Sequence, residues 1–229
     1  MRKYAFIFAI LFGILAVLDL YFVYTQHEDL RFFTKPLLLP ALMAYYLGTV
    51  GFGTKFAKLM FAALFFSWLG DVLLLWEHLF IPGLLAFLTA HIFYIIYFLK
   101  IEPGKKGFIR NQPLFGIPVV VYWGLFLAFL FPYLDVLRIP VLVYATVICT
   151  MLLCSMNLSG KLEKPVYLLF LNGAIQFVLS DSLLAINKFV YPFWFLPLCV
   201  MLTYCSAQYL LVRGSVKQVQ SSEFRVQSN

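Results

Sequence analysis

Apolar residues fill this chain in long runs that show no strand-like alternation of polar and apolar positions. The run at 4–24 is apolar on all sides and is long enough, as an α-helix, to cross about 30 Å of hydrocarbon. Backbone groups inside a bilayer must pair within the protein, so such runs form helices unless they alternate as barrel strands. The pattern therefore predicts eight membrane-spanning helices, at residues 4–24, 36–50, 56–76, 79–99, 113–134, 139–156, 165–186 and 191–212.

Composition excludes a soluble globular protein, because 63% of the residues are hydrophobic and only 12% are charged. The first run is interpreted as a permanent helix and not as a secretory signal, since it is longer than a signal core and contains Asp19. We expect one eight-span domain over residues 1–213, followed by a polar, disordered tail over residues 214–229. Prolines are expected in the first turns of four spans, at Pro36, Pro113, Pro165 and Pro192.

Positive charge lies mainly on one side of the predicted bundle. Of the 17 Lys and Arg residues, 13 fall at one set of span ends and 4 at the other. The positive-inside rule then places both termini in the cytoplasm. Basic residues at span ends meet anionic head groups, so membrane lipid, not nucleic acid, is the expected partner of this chain with net charge +7. The four cysteines lie within spans and are interpreted as packing residues without a metal motif.

The two halves of the chain resemble each other at an offset of 110 residues. Residues 68–74 (WLGDVLL) match residues 178–184 (VLSDSLL), and Tyr94 matches Tyr204. Four spans separate the copies, so the copies would share one orientation. This pattern favours two parallel four-helix repeats.

Three aspartates fall inside predicted spans. An ionised carboxylate in a membrane core costs roughly 2.5 to 3.5 kcal/mol, so it needs a polar cavity, a partner or a proton. Asp71 and Asp181 lie about 7.5 Å below the ends of their helices, and we expect them to meet in one water-containing cavity in the outer leaflet. Gly70 and Ser180 beside them would permit close helix approach. Asp19 is interpreted as a polar contact between helices.

Other polar residues could join such a site. Lys35 could neutralise a carboxylate or contact a phosphate, although snorkelling would also explain it. His91 and Tyr94 lie one turn apart on one face of the fourth span, near the predicted depth of the aspartates, although a core histidine is an equal alternative. Asn187 suits an interhelical hydrogen bond. The common nucleotide-binding, nucleophile-elbow and HExxH motifs are absent from the sequence, and no metal or cofactor is expected.

Four short segments follow one another along the chain: TKPL at 34–37, LGDVLL at 69–74, AHIFY at 90–94 and LSDSLLA at 179–185. This ordered set resembles the YhhN family, the lysoplasmalogenase-like membrane proteins of bacteria and animals. The resemblance extends over nearly the whole chain and implies cleavage of the vinyl-ether bond of lysoplasmalogens, with release of a fatty aldehyde and a glycerophospho-alcohol. For a bacterial member it implies the inner (cytoplasmic) membrane.

Vinyl-ether hydrolysis needs one acid and one base. Protonation of the β-carbon gives an oxocarbenium ion, to which water adds before the hemiacetal collapses to the aldehyde. A carboxyl shielded from water can hold the proton, and a second carboxylate can orient the water. We therefore expect Asp71 and Asp181 to be catalytic. The expected substrate-binding residues are Lys35 for the head-group phosphate, His91 and Tyr94 for water or the ether oxygen, and Asn187.

Three other functions stay open at this stage. Paired membrane carboxylates in repeated halves also suit a proton-coupled transporter. A metal-dependent lipid hydrolase would use His27, His78 and His91, although no HxxxH pair supplies two ligands on one helical face. A lipid-binding or receptor role without catalysis would fit the same resemblance. The head-group preference and the oligomeric state stay open as well.

Overall fold

The computed structural model describes residues 2–102 and 104–227, and these residues form helices without any β-strand. The predicted all-helical class is confirmed. The eight long helices of the described residues are α1 (Arg2–Tyr24), α2 (Glu28–Val50), α3 (Lys55–Leu73), α4 (Phe80–Lys100), α5 (Ile117–Leu130), α6 (Arg138–Met156), α7 (Lys164–Ala185) and α8 (Leu196–Gln227). Short segments between them are the 3-10 turns Glu77–Leu79, Pro113–Gly116, Phe131–Tyr133 and Asp135–Leu137, the single α-helical turn Phe108–Asn111, and the π-helical extension of α7 at Ile186–Val190.

Seven of these helices are long and apolar enough to cross a membrane by length and composition. The exception is α2, whose first two turns carry four charged residues. Its remaining turns are packed inside the bundle, where Leu38, Leu42 and Tyr46 are fully buried. The chain is therefore a multi-pass helical membrane protein with seven candidate spans and α2 packed among them. The charged residues of α2 are Glu28, Asp29, Arg31 and Lys35.

The start of α2 differs from the prediction. The sequence predicts a span that begins at Pro36, whereas α2 begins at Glu28 and contains both Pro36 and Pro40. Pro40 has no N–H, so the carbonyl of Pro36 lacks its helical donor. Trp68 of α3 supplies another donor, because its Nε1 donates to the Pro36 carbonyl at 2.9 Å. The helix therefore continues through the prolines and carries Lys35 into the bundle.

Neighbouring helices pack as the pairs α1–α2, α3–α4 and α7–α8. The two halves of the chain also interlock, since α4 packs against α6 and α8 packs against α1, α2 and α3. By contrast, α5 packs mainly against α6, and its buried residues are Val119, Leu127 and Leu130. It therefore lies at the edge of the bundle.

Close approach of α3 and α4 depends on Gly70. A Cβ atom at this position would lie 2.5 Å from the ring of Phe87, a distance that real contacts essentially never show. On the facing helix, a Cβ at Gly83 would lie 2.7 Å from Leu74. The predicted role of Gly70 is thus confirmed, and the contact holds α4 against the end of α3.

The segment 214–222, predicted as part of a disordered tail, continues helix α8. Ser215 and Val216 are buried. Tyr97 donates a hydrogen bond to Ser215 Oγ at 2.8 Å, and Tyr46 also bonds to this hydroxyl at 2.8 Å. The prediction was wrong for this segment, because composition counts its polar side chains as hydrophilic although they pair with buried tyrosines.

Candidate active site

Asp71 lies in the last turn of α3 and is held by two other helices. Its side chain is 3% exposed. The hydroxyl of Tyr204 on α8 donates to Asp71 Oδ2 at 2.5 Å. From α2, Lys35 Nζ lies 3.9 Å from Asp71 Oδ1. Lys35 therefore neutralises a buried carboxylate, which is one of the two roles that the sequence suggested.

A second carboxyl group, Asp19, lies next to this pair. It is fully buried and accepts a hydrogen bond from Thr34 Oγ1 at 2.7 Å. Arg31 Nε lies 3.6 Å from Asp19 Oδ1. Asp19 also interacts electrostatically with Lys35 and Asp71. It forms a polar contact between α1 and α2, as predicted, and belongs to the same charged cluster as Asp71.

Asp181 on α7 has a different set of partners. The hydroxyl of Tyr144 on α6 donates to Asp181 Oδ2. His91 on α4 is fully buried, and its Nε2 lies 3.9 Å from the same oxygen. The His91 ring also meets Tyr144 and Phe177 edge-on, at centroid distances of 5.4 and 4.7 Å. The structure thus brings His91 to the level of the aspartates, as the helical rise predicts.

The two carboxyl sites are neighbours. Phe177 contacts His91 on one side and Tyr204 on the other, with ring centroids 5.6 Å apart in the second contact. Asp71 and Asp181 interact electrostatically. Besides α1, which carries Asp19, six helices therefore contribute side chains to one region at the end of the bundle where α3 and α7 finish: α2, α3, α4, α6, α7 and α8.

A charged cavity of about 320 Å³ opens at this end of the bundle. It reaches the Asp71 site through Lys35, which lines the cavity wall. Arg31 is paired with Glu28 at 2.8 Å. Asn187 lines the cavity too, and its buried Oδ1 has no hydrogen-bond partner among the described residues. The charged residues in the lining are Arg31, Lys35 and Lys188 with Glu28 and Glu77.

Asp181 borders two narrower and mostly apolar clefts, of about 50 and 40 Å³. Leu74, Phe80 and Leu184 line both the charged cavity and the smaller cleft, so they form the partition between the two spaces. Asp71 lines none of these three spaces. The expectation of one water-containing cavity shared by both carboxyls is therefore corrected: Asp181 borders only the two clefts, and Asp71 borders neither the clefts nor the charged cavity.

Tyr94 does not reach either carboxyl group. It is fully buried, and its hydroxyl donates to Gln208 Oε1 at 2.7 Å. Gln208 also interacts with Tyr204, which in turn holds Asp71. Tyr94 is therefore linked to Asp71 through Gln208 and Tyr204 of α8 and not by direct contact.

Sequence reasoning missed both tyrosines that bond to the carboxyl groups. Tyr204 carried one signal, since it occupies the position of Tyr94 in the second half of the chain. Tyr144 carried none, because it lies in an apolar run among 14 tyrosines of the chain. Arg31 lies outside the span predicted at 36–50, whereas α2 begins early enough to bring Arg31 against Asp19.

Metal binding finds no support in the part of the chain that the structure describes. No group of three or more His, Cys, Asp or Glu side chains there could hold a metal ion. His91 meets aromatic rings and one carboxylate. This arrangement does not favour the alternative of a metal-dependent hydrolase.

Comparison with known proteins gives consistent matches. The sequence model of the YhhN family matches residues 30–215, which include all six predicted site residues. Lysoplasmalogenase TMEM86B of Homo sapiens is 29% identical over 181 residues, or 78% of this chain and 73% of that protein. The Sus scrofa protein of the same name is 33% identical over 79% and 73% of the two chains, and lysoplasmalogenase TMEM86A of Bos taurus is 30% identical over 73% and 69%. No solved structure matches this chain.

Proposed function

We propose that this chain, which belongs to the YhhN family, hydrolyses the vinyl-ether bond of lysoplasmalogens. The similar proteins of Homo sapiens, Sus scrofa and Bos taurus are named lysoplasmalogenases. One observation carries this proposal. The buried Asp71 and the half-buried Asp181, each bonded by a tyrosine of another helix, lie near a cavity with three basic side chains. The products would be a fatty aldehyde and a glycerophospho-alcohol.

The charged cavity suits the polar end of a lysophospholipid. Lys35, Arg31 and Lys188 supply positive charge for the phosphate. Glu77 in the same wall could face an ammonium head group. Asn187 Oδ1 has no donor among the described residues and could accept a hydrogen bond from the glycerol hydroxyl. Lys35 would then have two roles, since it also neutralises Asp71.

The reaction balances with two carboxyl groups and one water molecule. A carboxylic acid protonates the β-carbon and leaves an oxocarbenium ion. Water adds to the α-carbon while a carboxylate takes one of its protons, which gives a hemiacetal. The protonated carboxyl then donates to the ether oxygen as the C–O bond breaks, and the hemiacetal hydroxyl returns its proton to the first carboxylate. Both groups regain their initial states.

We assign the acid role to Asp181 because it borders the apolar cleft in which the vinyl ether would lie. Asp71, neutralised by Lys35 and held by Tyr204, would orient the water. His91 would position the Asp181 carboxyl, and Tyr94 would act indirectly through Gln208 and Tyr204. Substrate would part the Leu74, Phe80 and Leu184 partition and so join the charged cavity, which Lys35 connects to Asp71, to the cleft beside Asp181.

We also propose that α2 is an eighth span and that the chain consists of two parallel four-helix repeats. With 23 residues, α2 is about 34 Å long, enough to cross the hydrocarbon layer. Asp71 of the first half contacts α8, and Asp181 of the second half contacts α4, so each aspartate meets the last long helix of the other half. This reciprocity supports the repeat.

An even number of spans puts both termini on one side, and the basic residues favour the cytoplasm of a bacterial inner membrane. A reporter fused after Asn229 tests this orientation. Cytoplasmic activity of the reporter is expected. A reporter active only outside the cell would contradict the proposed orientation of the C-terminus.

Turnover of a pure alkenyl lysophospholipid by the purified chain tests the function, with aldehyde and glycerophospho-alcohol identified by mass spectrometry. Asp71→Asn and Asp181→Asn are each expected to lower the rate by about 10² to 10⁴-fold, the usual contribution of a general acid or base. Asp135→Asn is the matched control, because Asp135 is exposed in the loop before α6. A folded Asp181→Asn variant with full turnover would remove the carboxyl mechanism, and substrate flux without product would favour the transporter.

A further inference from the structure

A narrow cleft runs between the peripheral helix α5 and the helices α6 and α7. Along α6 its wall extends from Val141 to Cys149, a rise of about 12 Å. Most of its lining is apolar, and Asp181 is the carboxyl group that borders it. The lining residues used below are Tyr122, Ala145, Cys149, Val178, Asp181 and Ser182.

Among the described residues, two side-chain hydrogen bonds join α5 to the other helices of this cleft, and in one of them Trp123 Nε1 donates to Thr146 Oγ1 of α6 at 3.2 Å. The hydroxyl of Tyr122 on α5 bonds to Ser182 Oγ on α7 at 2.5 Å. Ser182 donates its own proton to the carbonyl of Val178 at 2.6 Å, so Tyr122 is the donor in the bond between the helices. Because α5 buries few of its residues, it can move without breaking the core that the other helices form.

The cleft and the charged cavity both border α7 and its extension, the cleft at Asp181 and the cavity at Lys188. Lys188 follows Asp181 by two turns of α7 and its extension, a rise of about 10 Å. A phosphate at Lys188 and Lys35 would therefore leave the first carbons of a lipid chain near Asp181, and the rest of the chain in the cleft beyond it. The basic side chains, the Asp181 carboxyl and the apolar cleft are thus arranged in the same order as the phosphate, the vinyl ether and the hydrocarbon chain of the lipid.

We propose that this cleft binds the single alkenyl chain of the substrate, and that the Tyr122–Ser182 hydrogen bond is its lateral closure. The inference rests on the proposed function and adds to it a chain-binding site and a route of entry. The cleft measures about 50 Å³, so a lipid chain would enter it only when α5 moves outward. Two chains would have to displace α5 further than one, so the proposal predicts a preference for a lysolipid over a diacyl lipid.

Photo-crosslinking tests the site without hydrolysis. The full chain in lipid nanodiscs is mixed with a saturated 1-O-alkyl lysophospholipid that carries a diazirine in its chain and has no vinyl ether. After illumination, adducts are mapped by mass spectrometry with and without an excess of the unlabelled analogue. We expect adducts that the analogue competes away at Cys149 and Val178, and uncompeted adducts at lipid-facing residues such as Phe6 and Val17. Competed adducts only outside the cleft, or none at all, would overturn the proposal.

A matched pair of variants sharpens the result. Ala145→Phe puts a ring into the cleft, whereas Val143 on the same helix is exposed and Val143→Phe leaves the cleft open. We expect at least tenfold less competed adduct with Ala145→Phe, an intermediate loss with the milder Ala145→Val, and no change with Val143→Phe. Equal yields from Ala145→Val, Val143→Phe and the unaltered chain would contradict the assignment.

Turnover of the alkenyl substrate by the unaltered chain separates the two claims. Competed adducts in the cleft without aldehyde release would leave the chain-binding site standing as a lipid site, and the hydrolase proposal would fail. Aldehyde release without adducts in the cleft would keep the hydrolase and overturn the chain-binding site.

Discussion

The ion pair between Lys35 and Asp71 allows a quantitative prediction. Their charged atoms lie 3.9 Å apart, and the side chains are 12% and 3% exposed. Coulomb's law with an effective dielectric constant of 20 gives an attraction of about 4 kcal/mol. In Lys35→Met the buried carboxylate loses this partner and keeps the bond from Tyr204, so we expect a loss of about 3 kcal/mol in the free energy of unfolding.

The double variant Lys35→Met/Asp71→Asn removes both charges and is expected to recover part of that loss, with a coupling energy of about 2 to 3 kcal/mol. Unfolding in mixed micelles with increasing dodecyl sulfate, followed by circular dichroism, measures the four free energies. The exposed pair Lys105 and Glu102, 3.4 Å apart, is the control, and its coupling is expected below about 1 kcal/mol. Additive effects of Lys35→Met and Asp71→Asn would refute the buried ion pair.

Two further predictions concern packing. Gly70→Ala would place a Cβ 2.5 Å from Phe87 and is expected to lower the free energy of unfolding by about 1 to 3 kcal/mol in the same assay. Gly124→Ala is the control, because a Cβ there meets no atom within 4 Å. Equal stabilities of the two variants would contradict the close contact of α3 and α4. Truncation after Val212 removes the buried Ser215 and is expected to lower the melting temperature in detergent by several degrees. Truncation after Ser222 is the control, because it keeps the hydrogen bond between Tyr97 and Ser215. Equal melting temperatures of the two truncated chains would show that the segment 214–222 does not stabilise the fold.

The helices could be predicted because few backbone conformations pair all the N–H and C=O groups of an apolar segment inside a bilayer. With no water to bond to exposed backbone groups, a run of sufficient length becomes a helix, and the regular rise then fixes depth. This is why the level of His91 relative to Asp181 could be foreseen from the sequence. The sequence suggests a carboxylate partner for Lys35 but does not identify it, because the contact with Asp71 depends on how α2 packs against α3.

Helix ends and polar partners could not be predicted in the same way. The first turns of α2 depend on a bond from Trp68 to a carbonyl that Pro40 leaves unpaired, and that partner is 32 residues away. The selection of Tyr144 and Tyr204 from the other tyrosines depends on how six helices meet. The helical segment 214–222 depends likewise on tyrosines of α2 and α4.

The sequence also could not predict that Asp71 and Asp181 lie in separate surroundings. Depth along a helix places Asp71 and Asp181 at one level but does not give the direction in which each side chain points. Lys35 and Tyr204 hold Asp71, while Tyr144 holds Asp181 beside an apolar cleft. The partition between the charged cavity and the smaller cleft is made of apolar residues, which the sequence pattern does not distinguish from any other part of the core.

Hydrolysis of an alkenyl lysophospholipid in D₂O tests the central claim most directly. If a carboxyl group protonates the β-carbon, the released aldehyde carries one deuterium on the carbon next to its carbonyl, and mass spectrometry of the rapidly trapped aldehyde detects it. We predict this label in the product of the unaltered chain and little product from Asp181→Asn. Aldehyde without deuterium at that carbon, or no aldehyde at all, would contradict the account.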